Sequence, residues 1–185
     1  MSMAASRPVS ELRPGFGPVV VMGVSGCGKS AVGERLASYL GARFIEGDSL
    51  HPPENIARMS AGIPLTDSDR AGWLDRIAVE IAAARAAGVP VIAACSALKR
   101  RYRDRLRAPN PGLLFIYLDI DRDTAHRRVA GRKGHFMPAS LVDSQFADLE
   151  PPAADEDALA LDASASVGGL VSAAYLLLTG AGLVE

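Results

Sequence analysis

A three-layer α/β fold is expected for this chain, with a five-stranded parallel sheet and helices on both faces. Two observations predict it. Short apolar runs alternate with segments of helical periodicity from about residue 18 onward, and such alternation makes each helix a crossover between parallel strands. The first apolar run, Pro18-Val19-Val20-Val21-Met22, leads through a glycine-rich loop into the helix-forming run Ala31–Leu40. The length of 185 residues suits one domain with a real core. Residues 18–185 are assigned to it, and the Pro-, Gly- and Ser-rich residues 1–17 are expected to form a loose tail without an apolar signal core.

The first strand is expected near 18–23 and the first helix over 29–40. Between them stands Gly23-Val24-Ser25-Gly26-Cys27-Gly28-Lys29-Ser30, which fits G-x-x-x-x-G-K-[ST] in the strand–loop–helix setting that gives this pattern meaning. Glycines let the backbone wrap a phosphate chain and aim N–H groups at it, and the helix dipole points at the same anion. Lys29 would reach the β- and γ-phosphates, and the Ser30 hydroxyl would hold Mg²⁺. The chain is therefore expected to handle a nucleoside triphosphate on a P-loop NTPase fold. The bland alternative, a glycine turn without a ligand, leaves Lys29 unexplained.

A second strand near 43–47 ends in Glu46-Gly47-Asp48-Ser49-Leu50-His51-Pro52. Ligands of such sheets gather at the carboxyl ends of the strands. Asp48 could accept a hydroxyl proton or hold Mg²⁺ through water; otherwise it caps the helix expected over 53–60. His51 could hydrogen-bond a polyol. Arg58, on that short helix, suits a carboxylate because its fork binds two oxygens at once. A long helix is expected over 67–87, where Trp73 reads as packing.

The third strand, near 89–95, does not end in Asp, so the usual metal-side carboxylate is missing there and Asp48 or substrate oxygens take over. Ser96 reads first as a helix N-cap. The helix over 98–107 carries Lys99-Arg100-Arg101-Tyr102-Arg103-Asp104-Arg105-Leu106-Arg107, a cationic face that is part solvated and part site wall. After a fourth strand at 113–119, a helix over 122–132 sets Arg128 and Arg132 on one face, leading into Lys133-Gly134-His135-Phe136. This basic turn, near 131–138, is expected to be a mobile lid that delivers cations to the transferring phosphoryl group; the alternative is a solvated Arg face. Helices at 138–149 and 167–179 flank a fifth strand at 158–162.

Composition bounds the rest. A net charge of −1 implies no polyanion-binding surface, so no nucleic-acid partner is expected. Residues 163–184 carry no charge, but four glycines and i, i+3, i+4 apolar spacing favour a helix packed on the sheet over a membrane span. Cys27 and Cys95 do not form a disulfide framework, and a reducing compartment fits. Cations are 17 Arg and only three Lys, namely Lys29, Lys99 and Lys133, which makes these Lys candidates for places that need a compact point charge.

Several of these segments together resemble the gluconate kinase (gluconokinase) family of small P-loop kinases, from about residue 18 to the C-terminus. They are the Gly23–Ser30 loop, Gly47-Asp48-Ser49-Leu50-His51-Pro52, Pro64-Leu65-Thr66-Asp67-Ser68-Asp69-Arg70, Cys95-Ser96-Ala97-Leu98-Lys99 and Arg132-Lys133-Gly134-His135-Phe136. Gln145-Phe146 and the Leu149-Glu150-Pro151 turn also fit. The loop is shared by many families, whereas the Leu50-His51-Pro52, Ser96–Lys99 and Lys133–Phe136 segments are more particular.

The resemblance implies ATP- and Mg²⁺-dependent phosphorylation of D-gluconate at its 6-hydroxyl by a cytoplasmic enzyme, often a homodimer. By position, Lys29, Asp48 and Arg132 would be catalytic and Arg128 would stack on adenine. His51, Arg58, Lys99, His135 and Gln145 would line the acceptor pocket. Rival readings are a related kinase for another acceptor, such as shikimate, and a nucleotide-hydrolysing switch. A shikimate kinase would carry a glycine cluster where Cys95-Ser96-Ala97 stands, and a GTPase switch would need an Asn-Lys-x-Asp reader that is absent.

Overall fold

In the computed structural model, the described residues are 16–131 and 138–180. Five strands form one sheet: β1 (Val19–Met22), β2 (Arg43–Glu46), β3 (Val91–Ala94), β4 (Leu114–Asp119) and β5 (Ala158–Asp162). Their order is β2-β3-β1-β4-β5, and every pairing is parallel. The expected three-layer architecture is thus observed, with β1 at the centre of the sheet. Seven α-helices accompany the strands among the described residues: α1 (Lys29–Leu40), α2 (Pro53–Ser60), α3 (Asp67–Ala86), α4 (Arg100–Arg107), α5 (Arg122–Ala130), α6 (Val142–Asp148) and α7 (Val167–Thr179).

Strand alternation divides the core in two. Val19 and Val21 face one side and pack with Val32, Leu36 and Leu40 of α1 and Leu170, Val171 and Ala174 of α7. Val20 and Met22 face the other, against Trp73, Leu74, Ile77 and Ile81 of α3 and Tyr102 and Leu106 of α4. All four β1 side chains are fully buried, which is why this run reads as continuously apolar. The described chain begins at Phe16, which packs partly buried against the first core.

The uncharged C-terminal stretch forms α7, capped by Ser166 at its start and by Gly180 in the left-handed region at its end. No described helix is long and apolar enough to cross a membrane. Element ends differ from expectation in three instructive places. A short 3₁₀ turn at Gly47–Leu50 follows β2. The helix expected from 98 begins at Arg100, because the Ser96, Ala97 and Leu98 carbonyls are taken by tertiary partners. The helix expected over 138–149 splits into a 3₁₀ turn at Ala139–Leu141 and α6.

Candidate active site

The phosphate loop is built for an anion. Gly28 caps α1 with φ 101°, a conformation that costs glycine little. No side chain caps this N-terminus and its first turn holds no acid, so its N–H groups and dipole are open to a phosphate. Gly26 also has positive φ, and a Cβ there would press on the Ala125 carbonyl of α5 at 2.8 Å. Lys29 Nζ donates to the Val24 carbonyl at 3.0 Å and so lies across the loop. Ser30 is half-buried at the second helical position. Cys27 is buried beneath the loop.

Two residues far along the chain hold this loop. The Ser25 N–H donates to Gln145 Oε1 of α6 at 2.6 Å, so Gln145, expected in the acceptor pocket, touches the phosphate loop. Arg128 of α5 donates to the Gly26 carbonyl at 3.4 Å and to the Ala163 carbonyl after β5 at 3.0 Å. Its guanidinium therefore bridges the loop and the end of the sheet. Arg132, Lys133 and His135, and with them the expected lid, lie outside the described residues.

Asp48 sits in the 3₁₀ turn beyond β2. The capping alternative is not realised, because the N-cap of α2 is Pro52 with no side-chain bond. Two devices fix the turn. A Cβ on Gly47 would run into the Ala94 carbonyl, so only glycine lets the turn lie this close to β3. Trp73 Nε1 donates to the Gly47 carbonyl at 2.7 Å. Trp73, expected as packing, thus packs and also positions the turn.

His51 stacks on Trp73 at 4.1 Å between centroids. Burial drives its pKa down to about 4, against the pull of Asp48 and with the repulsion of Arg70. The imidazole is therefore neutral near pH 7, and its buried Nδ1 has no hydrogen-bond partner among the described residues. At the end of β3, burial pushes the Cys95 thiol up to about 12. The turn that bears Asp48 packs on Ala94, and the phosphate loop reaches the Ser96 carbonyl through Gly23 N–H, so both meet at the carboxyl end of β3.

Beyond β3 the backbone is strained. Buried Ala97 has φ 43°, unusual for a residue with a Cβ. Ser96 does not cap α4, whose N-cap is Lys99; the Ser96 carbonyl instead accepts from Gly23 N–H at 3.3 Å. Arg103 holds the segment, donating to the carbonyls of Ala97, Leu98 and Glu150. Its charge is paired with Glu156 through bonds of 2.6 and 2.7 Å, with both side chains 1% exposed. Lys99 reaches Asp148 at 2.9 Å and Asp67 at 3.1 Å. Asp67 also accepts from Arg101 and Tyr102. Arg58 stands 3.7 Å from Asp69.

The basic run of α4 is largely neutralised within the fold. Arg100 pairs with Asp155, Arg101 with Asp67, Arg105 with Asp75, and Arg107 with Glu156 and Asp104. Sequence reasoning missed Arg70 and the Arg103–Glu156 pair. A long-range pair has no local signature, but an Arg in the acidic first turn of α3 was a visible anomaly.

Comparison with known proteins agrees with this geometry. A family model described as an AAA domain (AAA_33) matches residues 19–152. A gluconokinase of Gluconobacter oxydans is 48% identical over 145 residues, covering 78% of this chain and 80% of that protein. The chain belongs to the gluconokinase family. Among solved structures, a gluconokinase from Sinorhizobium meliloti superposes with a TM-score of 0.80 at 46% identity, covering 91% of this chain and 96% of its own. A sugar kinase from a Janibacter species reaches 0.83 at 46% identity, covering 89% and 94%.

Proposed function

We propose that the chain transfers the γ-phosphoryl group of ATP to the 6-hydroxyl of D-gluconate, giving 6-phosphogluconate and ADP. The observation that carries this reading is a phosphate loop tied to the segment after β3 by the Gly23 N–H bond to the Ser96 carbonyl, with the turn that bears Asp48 packed on Ala94 at the same strand end, in a chain close to half identical to gluconokinases. Phosphoryl transfer asks the protein for positioning and charge neutralisation more than for covalent chemistry. The open N-terminus of α1 would cradle the phosphates, and Lys29 would swing from the Val24 carbonyl onto the β- and γ-oxygens. Asp48 would orient the acceptor hydroxyl and take its proton. Arg128 would flank the adenine, and Arg132 would neutralise the moving phosphoryl group. His51, Arg58, Lys99, His135 and Gln145 are the acceptor-side candidates, Gln145 also serving the loop.

The described residues contain no group of three or more His, Cys, Asp or Glu able to hold a metal. That fits Mg²⁺ carried in by the triphosphate, since this ion keeps its waters and takes one or two protein ligands. Ser30 would supply a hydroxyl ligand and Asp48 a contact through water; the bound ion would offset phosphate charge. The chain is further read as a cytoplasmic homodimer, which light scattering of the purified protein checks for assembly.

The test is ADP release from MgATP with gluconate, shikimate, AMP or no acceptor. Gluconate-dependent release with 6-phosphogluconate as product is expected. Equal release without acceptor would make the chain a nucleotide hydrolase and remove the acceptor site.

A further inference from the structure

Arg70 stands in the first turn of α3 with a side chain only 7% exposed. Three features set it apart from a structural cation. First, its position opposes the helix dipole, which favours the neighbouring Asp67 and Asp69 and disfavours a positive charge. Second, its only ion pair is Asp148 at 3.9 Å among the described residues, beyond hydrogen-bond reach, and Asp148 is already held by Lys99 at 2.9 Å. Its other close neighbour is the face of Tyr102, 5.9 Å from the ring centroid. Third, Arg70 Nε is buried without a hydrogen-bond partner among the described residues. A charge this buried is seldom left so poorly paired, because desolvation without compensation is costly.

The other described cations of this region are spoken for or exposed. Lys99 is held by two carboxylates. Arg58 is 42% exposed and faces Asp69 at 3.7 Å. Arg58 Nε is likewise buried without a hydrogen-bond partner among the described residues, but the rest of that side chain is open to solvent, whereas Arg70 is buried along its whole length. It lies three residues before Trp73 on the buried face of α3, and Trp73 stacks on His51 and holds the Gly47 carbonyl next to Asp48. We propose that Arg70 binds the carboxylate of the sugar-acid acceptor through its guanidinium fork and thereby sets specificity for an acid over a neutral polyol. This rests on the gluconate reading above. A planar fork matches two carboxylate oxygens at once, and the water-poor setting strengthens the pair. With Arg70 on the acid end, Asp48 is left for the hydroxyl that reacts.

The experiment compares D-gluconate with D-gluconamide, its neutral C1 amide, as acceptors at saturating MgATP. Arg70→Met is expected to lower kcat/KM for gluconate by about 100-fold, the loss typical of removing one partner of a buried charge pair. The gluconamide value and the ATP KM are expected to stay within about threefold, so the preference for the acid collapses. Arg70→Lys keeps the charge but not the fork, and is expected to raise the gluconate KM about tenfold with the ATP KM unchanged. It serves also if the Met variant does not fold. An equal loss with both acceptors, a matching rise in ATP KM, or collapse of the preference in Arg58→Met with Arg70→Met unaffected would overturn the assignment. Wild-type enzyme inert toward gluconate but active on another acceptor would instead remove the gluconate reading, and this assignment with it.

Discussion

Asp48 and His51 belong to one turn but carry different chemistry. The turn that carries Asp48 is fixed by its neighbours: Gly47 allows the close approach to Ala94, and Trp73 clamps the Gly47 carbonyl. If Asp48 orients and deprotonates the acceptor, Asp48→Asn should lower kcat by about 100- to 10,000-fold with little change in ATP affinity, measured by turnover beside nucleotide titration. His51 is held neutral by burial, with a pKa near 4 against an ordinary 6.5. Below 6.5 the unfolded chain takes up a proton that the folded chain refuses. Stability is therefore fully present above pH 6.5 and falls as pH drops toward 4, by up to about 3 kcal/mol. His51→Phe, which can keep the stack on Trp73, should flatten that fall in denaturant melts across pH 4–7; an unchanged slope would mean that the imidazole protonates in place. At this scale the phosphate loop was fully legible in the sequence, because its pattern is local. Arg70 was legible only as an Arg among the acids that open α3; that it lacks a close partner shows only once α3 is docked.

Strands and helices were legible as types and less so at their ends, and the reason is concrete at α4. Helical periodicity cannot reveal that the Ala97 and Leu98 carbonyls are given to Arg103 and the Ser96 carbonyl to Gly23. Those bonds hold the segment out of the helix and fix Ala97 in the left-handed region. The Arg-rich run likewise reads as an exposed face until its carboxylates are placed. Arg103 and Glu156 form the buried centre of this arrangement, and the bonds from Arg103 hold the Glu156 carboxyl down to about 2. Removing either partner leaves an uncompensated buried charge. Arg103→Met should therefore cost about 3–5 kcal/mol of unfolding free energy. Because the folded pKa of Glu156 is depressed, its contribution is complete above about pH 4.5 and is lost as pH falls through 2. The stability gap between wild type and Glu156→Gln should thus narrow steadily on acidification. A gap independent of pH would mean that the pair contributes through shape alone.

For the whole molecule, the sheet order sets the phosphate loop on the central strand, with α1 spanning from the site to the core it shares with α7. Occupying the loop should therefore stabilise the fold as a unit. A ligand that binds only the folded state adds about 2.7 kcal/mol at one hundred times its Kd. For a chain of this size that corresponds to a rise in Tm of about 5–10 °C. MgATP without acceptor should produce this rise in the wild type. Lys29→Ala should lose most of it, since the loop then meets the triphosphate without its lysine, whereas Asp48→Asn should keep it if Asp48 serves the acceptor hydroxyl as proposed. The pair of variants separates the two halves of the site without any turnover measurement. A shift abolished by Asp48→Asn would move that carboxylate to the nucleotide, and a shift untouched by Lys29→Ala would take the lysine off the phosphates.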